Sequence, residues 1–174
     1  MNPSELVYNW YAVRVRSRTE KKVNAELFEL GIESYLPLQR RLRIWSDRKK
    51  WVEMPLISGY VFVRISRKEY ELVLSPYNVV CYVFFQGKAA VIHEKDILIL
   101  KRMLGQNELE LEVTLEELKP GQMVEVISGP LCGMVGELIE FKGKNKVAVR
   151  IDPLGYTVLV EAPERTLVPY VLKI

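Results

Sequence analysis

The sequence changes rhythm once, near residue 105, and that change constrains the fold more than any single motif. Before it, runs of two-residue apolar period alternate with runs of helical period. After it come short β-branched runs, cut by Gly-Pro and Gly-Lys-Asn turns. Two such patterns require two layer types, and 174 residues suffice for two small domains. Charge divides at the same place. Residues 1–105 hold eighteen Lys/Arg against eleven Asp/Glu, residues 106–118 five glutamates and no base, and residues 119–174 seven bases against six acids. The expectation is a basic domain over 1–105, an acidic linker over 106–118 and a nearly neutral domain over 119–174, with different partners.

The first block opens with a strand over 10–15. Ser17 and Glu20 have the spacing of a capping box, and Val23, Leu27 and Leu30 share one helical face before Gly31. Residues 34–45 and 51–65 read as strands around the polar turn 46–50, with Pro37 and Pro55 marking edges or irregularities. A short helix over 67–75, a strand over 79–85 and a helix carrying Ile97, Leu100 and Leu104 complete the block. The order is the split β-α-β plan, an antiparallel sheet with helices on one face. Strand alternation points Tyr60 and Phe62 away from Val61, Val63 and Ile65, toward a face with no evident cover in sequence. That makes them a candidate partner site, with burial in the core as the competing reading.

The second block carries five β-branched runs, at 124–127, 134–141, 147–151, 157–160 and 166–170. Five short strands in so little chain predict a small all-β barrel, so the whole is α+β. Between the blocks, Leu109, Leu111, Val113 and Leu115 alternate with glutamates. This spacing fits a strand or an extended linker docked on an edge.

Arg40, Arg41, Arg43, Arg48, Lys49 and Lys50 cluster around one acid, Asp47, and are expected to contact nucleic-acid phosphate. Trp45 and Trp51 flank the same turn and are expected to pack on each other across it. Gly121, Gly129, Gly133 and Gly136 read as turn and bulge glycines, without the lysine and helix of a phosphate loop. His93 reads as a surface residue at a helix start and Cys81 as a small hydrophobe. No nucleophile–base pair, paired carboxylates or metal-ligand spacing occurs. The expectation is a protein that is not an enzyme, with no catalytic residue, cofactor, metal or small-molecule substrate. Cys81 and Cys132 make no disulfide framework, no apolar run is long enough to cross a membrane, and no signal-peptide layout opens the chain. A cytoplasmic location follows as an expectation.

Trp10-Tyr11-Ala12-Val13, Pro55-Leu56-Ile57-Ser58-Gly59-Tyr60-Val61-Phe62-Val63 and the 79–87 region resemble the N-terminal (NGN) domain of the NusG family of transcription elongation factors. Pro120-Gly121-Gln122-Met123-Val124-Glu125-Val126, the run from Gly129 to Leu138 and Val147-Ala148-Val149 resemble its KOW motif. The likeness covers roughly residues 8–172. The wording Pro-Leu-Ile-Ser-Gly-Tyr-Val-Phe-Val is similar to the operon-specific RfaH- and UpxY-type antiterminators of that family.

The resemblance implies a ferredoxin-like sheet domain followed by an SH3-like barrel. It implies docking on the clamp helices of the largest RNA polymerase subunit through Ile57, Tyr60 and Phe62. It places Arg16, Thr19 and Lys22 where operon-specific relatives read non-template DNA. It matches Leu131, Met134 and Leu154 to the barrel residues that meet Rho or a small-subunit ribosomal protein, though the general factor has phenylalanines there. Little helical periodicity over 119–172 argues against a helical form of this barrel. An RNA-binding module is the alternative. Residues 58–65 partly match the RNP1 pattern of RNA-recognition sheets, which would bind nascent RNA by stacking.

Overall fold

The computed structural model describes residues 6–106 and 109–171. The chain forms two compact units, Met1–Ile97 and Leu98–Ile174. It is a mixed α+β protein of antiparallel sheets with few helices. Among the described residues, no helix is long and apolar enough to cross a membrane.

The elements as far as the helix that spans the unit boundary follow in chain order. They are β1 (Asn9–Val15), α1 (Glu20–Glu29), β2 (Glu33–Tyr35), β3 (Leu38–Ile44), β4 (Lys49–Pro55), β5 (Tyr60–Ile65), α2 (Tyr70–Val73), β6 (Val79–Tyr82), β7 (Phe84–Phe85), β8 (Lys88–Ala89), β9 (Val91–Ile92) and α3 (Glu94–Leu104). The main sheet runs β2-β5-β1-β6, with β9 also on β1, so two β-α-β crossovers interleave as expected. Its helix-side core joins Val13, Val15, Val61, Val63, Ile65 and Tyr82 to Val23 and Leu27 of α1 and Val73 of α2. Leu27, Val61 and Val63 are fully buried, each contributing about 1.5–3 kcal/mol.

The capping box expected at Ser17 and Glu20 does not form. Thr19 occupies the cap position, and its hydroxyl donates to the Arg16 carbonyl at 2.7 Å. Glu20 is buried, and its Oε1 accepts the Gly59 N–H at 2.9 Å, tying α1 to the loop before β5. The box appears instead at Ser66 and Glu69. The stop at Gly31 holds. With φ of 77°, Gly31 donates to the Phe28 carbonyl and Ile32 to the Leu27 carbonyl, a Schellman close. Leu30 sits past the last turn and is 41% exposed, so it leaves the face shared by Val23 and Leu27.

The second unit contains β10 (Leu111–Thr114), β11 (Gln122–Val126), β12 (Val135–Phe141), β13 (Lys144–Ile151), β14 (Tyr156–Glu161) and β15 (Leu167–Pro169). The five expected runs are all strands, within a few residues of the expected bounds. A sixth strand joins them, in the order β10-β14-β13-β12-β11-β15. Of the two readings left open for the acidic segment, strand and docked linker, its middle is strand: Leu111–Thr114 pairs along β14 from Leu111↔Val160 to Thr114↔Thr157. The ladder is possible because Leu111 reaches the buried layer while Glu112 faces the other side.

Candidate functional site

Alternation sends Tyr60 and Phe62 to the sheet face opposite α1, but that face is closed at Phe62. Phe62 stands between Ala12 of β1 and Tyr35 of β2, and its ring stacks on Tyr35 at 6.3 Å. Phe62 and Ala12 are 0% exposed, and Trp10 and Ile92 are also buried. Burial pushes the Tyr35 hydroxyl up to about 12. Ile57, in the loop before β5, is 1% exposed. Of the three residues matched to a polymerase contact, Ile57 and Phe62 are thus buried here, Phe62 because neighbours close around its ring on an interior strand. Tyr60, at the strand's start, stays half-buried, paired in register with exposed Arg14, which pairs in turn with Cys81 of β6. The buried Phe62 also removes the central stacking ring an RNP1-type platform needs.

An exposed pair of adjacent aromatic rings lies elsewhere in this unit. The Val83 N–H donates to the Ala12 carbonyl at 2.9 Å, and the Ala90 N–H to the Val83 carbonyl at 2.8 Å. These bonds pinch β7 and β8 off the sheet edge as a small hairpin. Phe84 and Phe85 on it are 57% and 62% exposed, and Val80, Val91 and Tyr77 are exposed as well. Sequence reading placed this pair inside a longer strand. The break falls at Val83, between β6 and β7, while the turn expected at Gln86-Gly87 is present, both residues having positive φ.

The basic cluster forms a two-stranded hairpin, β3 against β4, from Leu38↔Pro55 to Ile44↔Lys49. The turn is tighter than expected, with the Trp45 N–H donating to the Arg48 carbonyl at 2.8 Å. Every residue from Arg40 to Trp51 is exposed. The expected Trp45–Trp51 packing is replaced by arginine pairing. Register sets Trp51 opposite Leu42, with Arg40 over its ring at 5.5 Å, while Arg48 lies over Trp45 at 5.6 Å. Arg41 donates to the Gln39 side chain at 3.0 Å, and Arg43 approaches the Met54 sulfur at 3.3 Å. Lys49 and Lys50 stand opposite Ile44 and Arg43.

In the β1–α1 turn, Arg16 lies over the Tyr77 ring at 4.5 Å, and in the first turns of α1 Lys22 is 3.9 Å from Glu26. The fold brings this turn and the hairpin to one cleft of about 440 Å³, lined by Ser17, Arg18, Glu20, Lys21, Arg43, Met54, Pro55 and Ser58, three bases against one acid whose Oε1 is held by the Gly59 N–H. Arg18 and Lys21 were not singled out in the sequence. Arg18 has a φ of 64°, uncommon for a residue with a side chain, and this marks the turn as specially shaped.

In the second unit, Leu131 and Met134 are each 3% exposed. The β11–β12 turn folds them inward: Gly133 donates to the Val126 carbonyl, Met134 to Leu131, and Val126 to Met134. Of the three residues matched to a partner contact, Leu154 alone keeps partial exposure. Arg150 bridges Glu137 with bonds of 2.9 and 3.0 Å and also donates to the Leu118 carbonyl at 3.0 Å. Glu137 accepts the Gly121 N–H at 3.2 Å, and the Arg150 bond is the main cause that lowers its pKa. Among the described residues, no three His, Cys, Asp or Glu side chains gather where a metal ion would be held.

The chain is thus an α+β protein of two sheet units, the first carrying an exposed aromatic hairpin and an exposed basic hairpin. The family described as "Transcription termination factor nusG" matches residues 8–101. The transcription termination/antitermination protein NusG of Bacillus subtilis is 30% identical over 170 residues, covering 88% of this chain and 93% of that protein. Its Staphylococcus aureus counterpart is 28% identical over 169 residues, covering 87% and 90%. A solved structure, "Domain interaction in Thermotoga maritima NusG", is 27% identical over 89% of this chain and 93% of that one, with a TM-score of 0.48. The chain belongs to the NusG family and is a NusG-like transcription termination/antitermination factor.

Proposed function

We propose that this chain is an operon-specific elongation and antitermination factor, of the kind that serves capsule loci. It binds RNA polymerase through its first unit and recruits a second partner through a KOW-like second unit. The observation that carries the polymerase reading is the Phe84–Phe85 hairpin, two phenylalanines held in water on a family-matched unit. Adjacent aromatic rings left in water mark a surface that gains free energy when a partner covers it. Tyr60 and Arg14, paired across β5 and β1, extend the same proposed surface, while Ile57 and Phe62 act through the buried core of the unit. The clamp helices of the largest subunit are the proposed receptor. Better binding to the elongating than to the paused polymerase would disfavour pausing without any chemistry.

The basic cleft fits the exposed non-template strand. Arg18, Lys21 and Arg43 join Arg16, Thr19 and Lys22 in contacts to phosphate and base edges, and the hairpin residues Arg40, Arg41, Lys49 and Lys50 extend the track. The wording of residues 55–63 supports the operon-specific branch.

The test is co-purification of the full chain with core RNA polymerase, wild type against Phe84→Ser/Phe85→Ser. Loss of binding by a folded double variant supports the reading. Equal retention by both places the contact elsewhere and overturns it.

A further inference from the structure

The apolar residues matched to a partner contact on the second unit are largely buried, so a partner there needs another surface. The edge of β14 offers one. β14 keeps six register pairs with β13 on one side. On the other side it has four pairs, to β10, and β10 comes from the acidic segment. Beneath that edge lies Lys146 of β13, whose side chain is 5% exposed. Its ammonium is 3.0 Å from Glu112 of β10, 4.0 Å from Glu161 and 5.7 Å from the Phe141 ring. Glu161 is exposed and sits closer to Lys144, at 2.8 Å. A buried ammonium without a close carboxylate is strongly destabilising. The sheet therefore has a built requirement for an acid arriving on the next strand, and Glu112 meets it.

β10 is held lightly for a sheet strand. It is four residues long, Leu111 is its one buried residue, and Glu112, Val113 and Thr114 are half-exposed. A cleft of about 350 Å³ runs beside it, lined by Glu110, Glu112, Lys144, Lys146 and Val160 among others. Short edge strands with few buried apolar contacts open at low cost. An opened β14 edge presents alternating unpaired N–H and C=O groups, a spacing that an extended polypeptide matches group for group.

We propose that the β14 edge with Lys146 is a strand-addition site for an extended protein segment that alternates apolar and acidic residues. The chain's own β10 fills it in cis, and a partner protein docks by displacing β10. This rests on the reading that the second unit recruits a protein, and it names the chemistry of that protein's docking segment.

The test uses the full chain and a labelled peptide with the sequence of residues 109–116. Leu111→Asp puts a charge where a buried leucine stood and unseats β10. The peptide is expected to bind the Leu111→Asp chain roughly tenfold or more tighter than wild type. Binding should be lost when the glutamate at the Glu112 position of the peptide is changed to lysine, or when Lys146→Met is added to the chain. In wild type, amides of 111–114 should exchange faster than those of 147–149. The proposal is overturned if Leu111→Asp is folded and does not bind the peptide, or if it unfolds the unit, since β10 is then integral. Peptide binding does not depend on which protein is recruited. Its failure removes the edge site alone, whereas absence of any protein partner in the presence of peptide binding removes the recruitment reading.

Discussion

Replacing Arg150 with methionine should loosen the entrance to the second unit. Arg150 joins β13 to Glu137 of β12 through two bonds and to the Leu118 carbonyl through a third, and Glu137 in turn holds the Gly121 N–H. The two side chains are 26% and 20% exposed, so the pair is neither surface-screened nor fully buried. Breaking a fully buried pair costs about 3–5 kcal/mol and an exposed one at most about 1 kcal/mol. An intermediate loss of roughly 2 kcal/mol is expected for this half-buried, bidentate case. In a unit of this size that lowers the melting temperature by roughly 8–16 °C.

The same network sets a pH dependence. The Arg150 bond lowers the Glu137 pKa below its ordinary value of 4.5. The unfolded chain then binds the proton more readily than the folded one, so this contribution is fully present above pH 4.5 and fades as pH falls through the lowered value. Thermal melts of full-length wild type, Arg150→Met and Glu137→Gln at pH 7 and pH 3.5, followed by a probe in the second unit, measure it. The gap between wild type and Glu137→Gln should narrow in acid. A melting point for Arg150→Met within 2–3 °C of wild type (roughly 0.5 kcal/mol) would refute the assignment of structural weight to this bridge.

Gly136→Ala places a Cβ 2.6 Å from Val147 Cγ1 and 2.8 Å from the Ala148 carbonyl oxygen, and should destabilise the second unit by about 1–3 kcal/mol in the same melts. Phe84→Ser/Phe85→Ser should leave the melting curve of the first unit nearly unchanged, because both rings already lie in water, while abolishing polymerase co-purification. Arg18→Ala/Arg43→Ala should weaken binding to single-stranded DNA and flatten the slope of log affinity against log salt by roughly 0.7 for each phosphate no longer neutralised. An unchanged slope in a salt titration would exclude the cleft as a phosphate site. Phe62→Ala should cost about 3–5 kcal/mol in stability, since its ring is fully enclosed against Tyr35. A thermal melt separates that loss from a binding defect.

Much of the fold is legible in local signals. Gly31 ends α1 because a positive φ is cheap there, and the β-branched runs after residue 119 become strands because turns bound them on both sides. The misreadings share one cause, which is that local pattern does not reveal what packs against a residue. Ser17 and Glu20 have capping spacing, yet Glu20 is drawn away by the Gly59 N–H, a partner 39 residues distant. Trp45 and Trp51 flank one turn, yet register puts Trp51 opposite Leu42.

Residue type and period by themselves determined that this chain is α+β, that its β1-α1-β2 and β5-α2-β6 crossovers interleave, and that the basic charge gathers on one hairpin. These follow from backbone preference and side-chain alternation, which act within a few residues. Only the tertiary structure decided that Phe62 is core while Phe84 and Phe85 face water, that Arg18 and Arg43 share a cleft, and that Leu111–Thr114 is a strand. Each of those outcomes depends on pairing between segments far apart in sequence, and exposure is a property of the neighbours a residue acquires, not of the residue itself.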